Sequence, residues 1–172
     1  MTKPHALLRA AFPYYATLGM RRVTTSPADI VACDDGDIFV LNRIDGEGGE
    51  IRCTNWDDED NGVIGNGFIW PVQIIEGPND ILMVSDEGNH SISSWTKDGE
   101  KIDSWGDYGS ADGELNRPSG IVLDAEGNIV VADTMNHRIQ KFTIDGRYIS
   151  GFGQYGKADG QFNMPWGVGV DP

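Results

Sequence analysis

The side chains best suited to chemistry stand together in one short stretch of the chain. Asp133, Asn136 and Arg138 place a carboxylate, an amide and a guanidinium within six residues. His137 lies among them, and His90 occupies the equivalent position 47 residues earlier. Groups of these types can form a polar ligand site, and histidine is a frequent metal ligand and acid–base residue. Their repetition favours a structural role in a turn, because the ligands of one metal must converge and copies in successive units do not.

A repeat of 47 residues positions these side chains. Pro71, Pro118 and Pro165 are separated by this distance, and Asp86 and Asp133 keep the same offset. Further pairs at this offset are Asn89 and Asn136, His90 and His137, Ile92 and Ile139, Trp95 and Phe142, Asp98 and Asp145, Trp105 and Phe152, and Asp112 and Asp159. So many matches at one offset indicate a repeated structural unit.

The unit from 118 to 160 has the composition of a small antiparallel sheet. Three runs of β-branched or aromatic residues are separated by turn residues, and a fourth run follows Asp145-Gly146. An Asp-Gly pair between such runs predicts a hairpin, because glycine accepts the positive φ that tight turns need. A period of this size with four strands per unit is typical of a β-propeller blade. We therefore predict an all-β protein, a β-propeller of four-stranded antiparallel blades.

One string within this unit is distinctive. It reads Asp133-Thr-Met-Asn136-His-Arg138-Ile-Gln140-Lys-Phe142, is preceded by Pro118-Ser-Gly-Ile, and is followed by Asp-Gly and Phe-Gly. The string resembles the NHL repeat, and the resemblance extends over roughly residues 27 to 172. It implies a propeller fold, in a family that includes scaffolds, RNA readers and a few lyases.

The lyase branch of this family offers a test on the sequence. Peptidyl-hydroxyglycine lyases, which the repeat resembles, bind zinc through a histidine just after the proline that starts a blade. The residues at those positions here are Ala28, Val72, Ser119 and Trp166. None of them is a zinc ligand, so the sequence argues against this activity in the blades of this chain.

Counting from the prolines divides the chain into an N-terminal arm and successive blades. Blade 1 diverges from the others, and blade 2 has Ser91 where blade 3 has Arg138. The expected segments are an arm at 1–26 with a candidate closing outer strand at 14–19, blade 1 at 27–70, blade 2 at 71–117, blade 3 at 118–164 and the first strand of a further blade at 165–172. Three blades cannot close a ring. We therefore expect a propeller of about six blades, completed by a longer chain or by a second copy.

The charge of the chain limits its partners. The formal charge is −14, and residues 1–28 contain four basic and no acidic side chains, which leaves −18 on the remainder. Such a body repels phosphate backbones and anionic membranes, so we expect neither nucleic acid nor a membrane as partner. The N-terminal region lacks the pattern of a signal peptide, which makes the cytoplasm the default location. Cys33 and Cys53, both in predicted strands, make no disulfide framework.

An acidic hairpin in blade 1 partly fits a calcium loop. Asp57, Glu59 and Asn61 place oxygen atoms at alternate positions before a glycine, as such loops do. The bidentate glutamate expected at position twelve of the loop is instead Phe68, and no flanking helices are indicated. We interpret this segment as a solvated turn and keep a calcium site as the alternative.

One rim of the propeller is the expected location of a ligand site. In an up-and-down blade, the loop between the second and third strands shares a face with the connection into the next blade. The candidates expected on this face or at the channel are Trp70, His90, Arg117, Ser119, Asn136, His137 and Trp166. A structural network is expected from Asp86, Asp133, Asn136 and Arg138.

These observations predict a binding function. We find no nucleophile–base pair and no phosphate-binding loop in the sequence, and we expect no cofactor. The chain is therefore predicted to be a non-catalytic binding or scaffold module for a protein, a peptide or a small ligand. The alternative is a propeller lyase or lactonase-like hydrolase whose metal site lies in blades outside this chain.

Overall fold

Twelve strands form the described part of the protein, which comprises residues 26–44, 48–57 and 59–171 of the computed structural model. They are β1 (Pro27–Ala32), β2 (Asp37–Ile44), β3 (Gly48–Asn55), β4 (Asp60–Phe68), β5 (Pro71–Glu76), β6 (Ile81–Asp86), β7 (Ser91–Thr96), β8 (Lys101–Trp105), β9 (Pro118–Leu123), β10 (Ile129–Asp133), β11 (Arg138–Phe142) and β12 (Tyr148–Phe152). Two 3-10 turns, Pro78–Asp80 and Thr134–Asn136, are the only helical segments in these ranges. The prediction of an all-β protein is confirmed, and the candidate closing strand at 14–19 lies outside the described residues.

The strands form three antiparallel four-stranded sheets, β1–β4, β5–β8 and β9–β12, in which each strand pairs with its neighbour in sequence. Tight hairpins make this order possible, as the one between β11 and β12 shows. Gly146 in that hairpin has a φ of 82°, and a Cβ atom there would collide with the ring of Trp105 in the second sheet. Glycine meets both the positive φ and the close approach, as the Asp145-Gly146 pair predicted.

The first strands of the three sheets, β1, β5 and β9, lie side by side. Side chains two residues after Pro27 and Pro71 connect them. Asp29 Oδ2 accepts a hydrogen bond from the Ile74 amide at 2.9 Å, and Gln73 Oε1 accepts one from the Ile121 amide at 2.7 Å. The sheets therefore fan outward from a common row of inner strands.

Apolar side chains pack between neighbouring sheets. In β6, Leu82 and Val84 belong to a buried cluster shared with the first sheet, whereas Met83 belongs to a cluster shared with the third. Phe39 and Phe142 are the largest fully buried side chains, and each lies in one of these clusters. Because both faces of the middle sheet are covered by neighbouring sheets, β6 carries apolar side chains on both of its faces. In the described residues, no helix has the length and hydropathy needed to cross a membrane.

Both cysteines are buried and free of disulfide bonds. Cys53 lies in β3, whereas Cys33 lies one residue beyond β1, so the prediction of a strand at that position was wrong. Burial, together with a hydrogen bond to Glu76, raises the pKa of the Cys33 thiol to about 11. The thiol therefore stays neutral near pH 7 and packs as a small apolar side chain.

The shared cluster between the first two sheets should dominate their stability. Leu82 is fully buried and Ile102, on the outer strand of the same sheet, is 52 % exposed. Leu82→Ala is expected to lower the free energy of unfolding by about 2–5 kcal/mol, because it removes buried apolar area and leaves a cavity. Urea denaturation checks this, with Ile102→Ala as the control that changes stability by about 0.5 kcal/mol or less. Equal losses in the two variants would contradict this packing.

An ion pair on the third sheet makes stability depend on pH. Lys141 Nζ lies 2.7 Å from Asp124 Oδ2 and, by its hydrogen bond, holds the pKa of that carboxyl at about 2, below its ordinary 3.8. Because the folded-state pKa is the lower one, the stabilisation is complete above about pH 4 and is lost as the pH falls towards 2. Asp124→Asn should therefore lower the melting temperature slightly at pH 6, and the difference from the wild type should shrink as the pH falls through 2. A constant difference between the two proteins across this range would contradict the ion pair.

Candidate functional site

Asp133, at the end of β10, ties the third sheet to the connection that precedes it. The carboxylate is fully buried, and its Oδ1 accepts a hydrogen bond from the Asn116 amide at 2.7 Å. The Met135 amide donates to the Asn116 carbonyl at 3.0 Å. Asn136 Nδ2 donates to Asp133 Oδ2 at 2.9 Å and to the Gly109 carbonyl at 2.7 Å. The connection is therefore held against the outer end of the second strand.

Asp86 makes the same kind of attachment in the second sheet. It is 2 % exposed and accepts five hydrogen bonds of 2.7–3.2 Å. The donors are the amides of Ile69, Trp70, Gly88 and Asn89 and the Asn89 side chain. Two of these amides belong to the connection into the sheet and two to the loop after β6, so one carboxylate joins both segments.

Arg138 and Gln140 complete the network in the third sheet. Arg138 Nε donates to Asp133 Oδ2 at 2.8 Å, and its Nη2 donates to the carbonyls of Ala111 and Glu114 at 2.7 and 2.9 Å. Gln140 Nε2 donates to Asp133 Oδ2 at 3.0 Å and to the Glu114 carbonyl at 2.8 Å. The two side chains thus fill the space between β11 and the incoming connection.

The first sheet has a neutral side chain at the equivalent position. Asn42 is fully buried, and its Nδ2 donates to Glu50 Oε1 at 3.4 Å. Its Oδ1 has no hydrogen-bond partner among the described residues. The adjacent Arg43 amide donates to the Ser26 carbonyl at 3.0 Å, so here a backbone bond reaches the residue before the proline.

His90 and His137 lie in equivalent loops, and each binds the connection to the following sheet. His90 Nδ1 accepts a hydrogen bond from the Arg117 amide at 3.1 Å, and His137 Nδ1 accepts one from the Met164 amide at 3.0 Å. A tyrosine ring packs on each imidazole, with ring centroids 4.6 and 4.9 Å apart. The two histidines therefore form hydrogen bonds with separate connections and do not converge on one ligand.

Trp70 and Arg117 lie on either side of a residue that the sequence patterns did not identify. Glu87 is 2 % exposed, and its amide donates to the Trp70 carbonyl at 3.0 Å. Glu87 Oε2 accepts from Arg117 Nε at 2.9 Å and from Nη2 at 2.6 Å. Glu87 Oε1 is buried with no hydrogen-bond partner among the described residues. We name Trp70, Glu87 and Arg117 the rim cluster; because Glu87 and Arg117 are 30 residues apart, no local pattern indicates it.

Ser119 lies in β9, and Trp166 lies in the segment after β12, which forms no strand in the described residues. Trp166 is 55 % exposed. It belongs to the lining of a cavity of about 190 Å³, formed by Ala28, Asp29, Val72, Gln73, Gly120, Trp166 and Gly167. Ser119 is fully buried, and its hydroxyl donates to the Trp166 carbonyl at 2.7 Å and shares a 2.5 Å hydrogen bond with the Thr134 hydroxyl. The Ser119 side chain thus joins β9 to the segment that follows the third sheet.

The oxygen atoms of the acidic hairpin face different partners. Asn55 Nδ2 donates to Glu59 Oε2 at 2.9 Å, and Asn55 Oδ1 accepts from the Asp57 amide at 3.0 Å. Asn61 Nδ2 donates to Cys53 Sγ at 3.7 Å. Throughout the ranges that the structure describes, no group of three or more histidine, cysteine or acidic side chains is placed to hold a metal ion.

Large apolar side chains are exposed along the face that carries the rim cluster. We call this face the upper rim; it comprises the connections 69–70 and 107–117 and the loops 87–90 and 134–137. Its exposed apolar residues are Ile69 at 58 %, Trp70 at 47 %, Tyr108 at 69 % and Met135 at 39 %. Tryptophan, tyrosine and methionine are enriched in protein interfaces, which makes this rim a candidate recognition surface.

Solved structures of known proteins share this architecture. Virginiamycin B lyase from Staphylococcus aureus matches with a TM-score of 0.61 at 16 % identity, over 83 % of this chain and 45 % of that chain. A chain of the nidogen/laminin complex matches at 0.58 and 18 %, over 74 % and 52 %. A protein from Bacteroides thetaiotaomicron VPI-5482 matches at 0.60 and 19 %, over 81 % and 40 %. This chain spans about half the length of these structures, and the shared fold defines its sheets as β-propeller blades.

One segment of the chain matches a known family of repeats. Residues 115–142 match the family model of the NHL repeat, and this segment contains Asp133, Asn136 and Arg138. A comparison with curated proteins found no significant match. Residues 115–142 thus carry an NHL repeat, which confirms the resemblance seen in the sequence for this segment.

The Asp133–Arg138 pair should be essential to the third blade. Arg138 is 14 % exposed at its side chain, and Arg138→Met leaves Asp133 buried without its guanidinium. We expect this variant to lose about 3–5 kcal/mol of unfolding free energy, measured by urea denaturation. Arg147→Met, at an exposed position of the same blade, is the matched control and should change stability by about 0.5 kcal/mol or less. An Arg138→Met protein as stable as the wild type would show that the pair contributes nothing.

Proposed function

We propose that this protein is a non-catalytic binding module that engages a protein or peptide through its upper rim. The observation that carries the proposal is the rim cluster. Its exposed Trp70 accepts a backbone hydrogen bond from Glu87, and Glu87 holds a buried carboxylate oxygen that lacks a partner among the described residues. Leaving such an acceptor unsatisfied costs free energy, so a ligand N–H or O–H donor that reaches Glu87 Oε1 would bind favourably.

The surroundings of the indole support an aromatic anchor for a ligand. The Arg43 guanidinium lies over the Trp70 ring, 4.6 Å from its centroid, and its Nε donates to the Pro71 carbonyl at 2.8 Å. Arg117 is half exposed and is fixed by Glu87. Trp and Arg side chains held in place in this way are typical of interface hot spots.

The fold is compatible with this role. A chain of the nidogen/laminin complex shares it, so the architecture occurs in an assembly of proteins. That likeness concerns the fold alone, and the proposal for this protein rests on its own rim. The same cluster could instead bind a small ligand, which is the alternative to a protein or peptide partner.

Selection from a random peptide display library tests the upper rim. Peptides that bind the wild-type protein should lose affinity about tenfold or more on Trp70→Ala, because a tryptophan hot spot contributes about 2 kcal/mol or more. Trp56→Ala removes a tryptophan that is similarly exposed, at 51 %, in the β3–β4 hairpin and serves as the matched control. Its dissociation constants, measured by biolayer interferometry, should stay within about twofold of wild type. Selected peptides that are equally sensitive to both substitutions, or to neither, would contradict binding at the rim cluster.

A different measurement distinguishes the binding function from the alternative of an enzyme. A propeller lyase or hydrolase would carry its metal where the blades meet at the channel, and the likeness to virginiamycin B lyase at 16 % identity supports only the fold. Metal analysis of the full-length protein distinguishes the two functions. A stoichiometric metal that is lost when channel residues are substituted would replace the binding proposal with the enzymatic one.

A further inference from the structure

Asp86 and Asp133 hold the same position in adjacent blades but differ in their balance of charge. Asp133 is paired with the Arg138 guanidinium at 2.8 Å. Asp86 is as deeply buried, and its five hydrogen bonds all come from uncharged N–H groups. Among the described residues no lysine or arginine forms an ion pair with it. These hydrogen bonds satisfy the carboxylate oxygens, but the negative charge has no counter-ion among the described residues and attracts a cation.

The space that the arginine fills in blade 3 is open in blade 2. Ser91 and Ser93 stand where Arg138 and Gln140 stand 47 residues later. A cavity of about 380 Å³ lies at this place. Its lining residues are Asn66, Gly67, Phe68, Asp86, Asn89, Ser91, Ser93, Trp95, Lys101, Ser104 and Gly106. The cavity therefore adjoins the unpaired carboxylate charge.

The backbone that receives the arginine in blade 3 has a counterpart in blade 2. Arg138 donates to the carbonyl of Glu114, four residues before Pro118, and Gly67 lies four residues before Pro71. Gly67 lines the cavity and occupies an irregular point in the pairing of β4 with β3. Blade 2 thus keeps the carboxylate and the matching backbone position but has no arginine on β7. Lys101 lines the cavity from β8 and forms no ion pair with Asp86 among the described residues.

The wall of the cavity suits a planar cation. The rings of Phe68 and Trp95 lie there, with centroids 5.3 Å apart. Lys101 Nζ lies 5.9 Å from the Trp95 ring centroid, so this surface already attracts one positive charge. A guanidinium binds carboxylates in a planar, forked geometry and stacks on aromatic faces, which an ammonium does less well. The chain as a whole has a formal charge of −14, which favours a cationic partner.

We propose that this cavity, between β4 and β7, binds the guanidinium of an arginine side chain supplied by a partner peptide. The guanidinium takes the position that Arg138 fills in the third blade, next to Asp86 and the Ser91 and Ser93 hydroxyls. This site goes beyond the proposed function, because it does not use the exposed indole of the rim cluster. Trp70→Ala tests the rim, whereas the substitutions below act only on the cavity, so the two proposals can fail separately.

Calorimetric titration with three matched pentapeptides tests the chemistry. The probes are acetyl-Ala-Ala-Arg-Ala-Ala-amide and its citrulline and lysine analogues, added to the intact protein. The arginine peptide should bind about tenfold or more tightly than the citrulline peptide, which keeps the shape and lacks the charge, and more tightly than the lysine peptide. Equal affinity for arginine and citrulline, or no measurable binding of the arginine peptide at millimolar concentration, would overturn the proposal.

Filling the cavity from within provides the second test. Ser91→Arg supplies the missing guanidinium, so it should abolish arginine-peptide binding and raise the melting temperature by a few degrees. Ser150→Arg adds the same charge at an exposed position on β12 and should leave peptide affinity within about twofold of wild type. Ser93→Gln fills the cavity with a neutral group, as Gln140 does in blade 3, and should also block the peptide. Full binding by a folded Ser91→Arg or Ser93→Gln protein would place the arginine site elsewhere.

Discussion

A buried carboxylate at the end of the second strand is the interaction on which the second and third blades depend. Asp86 and Asp133 each gather backbone amides from the connection ahead of the blade. The connection carries no sheet hydrogen bonds of its own at this point, and buried amides need acceptors. One carboxylate therefore fixes where each blade begins, and with it the positions of the inner strand and of the loop on the upper rim.

The two blades satisfy that carboxylate by different means, and the difference leaves a cavity in blade 2. In blade 3, Arg138 and Gln140 fill the volume beside Asp133 and bind the long connection. In blade 2 the connection is shorter, small hydroxyl side chains replace both residues, and loop amides supply the hydrogen bonds. A structural position that repeats in sequence is thus closed in one blade and open in the next. Repeat proteins diversify in this way, since each unit needs only its own core and its contacts with neighbours to remain stable.

The fold could be predicted because the residues that determine each blade recur several times in the sequence. The prolines, the Asp-Gly turns and the apolar runs recur at one period, and each fixes a local feature that does not depend on the rest of the chain. The structural network around Asp133 follows from the same repetition, although its partners at Ala111 and Glu114 do not. Those partners are backbone carbonyls. Because every residue has a backbone carbonyl, the amino-acid sequence does not indicate which ones accept these hydrogen bonds. The strand assigned to Cys33 failed for a related reason, since the end of β1 depends on pairing with β2.

By itself, the sequence determined the all-β class, the four-stranded unit and the residues that repeat, because turn chemistry and strand periodicity are local properties. Tertiary structure alone decided which of the candidate side chains meet. It brought Glu87 to Arg117 and Trp70, used Ser119 and both loop histidines to hold connections, and left space beside Asp86. The physical reason is that burial, counter-charge and free volume arise from segments tens of residues apart, and only the packing of blade on blade sets the distances between them.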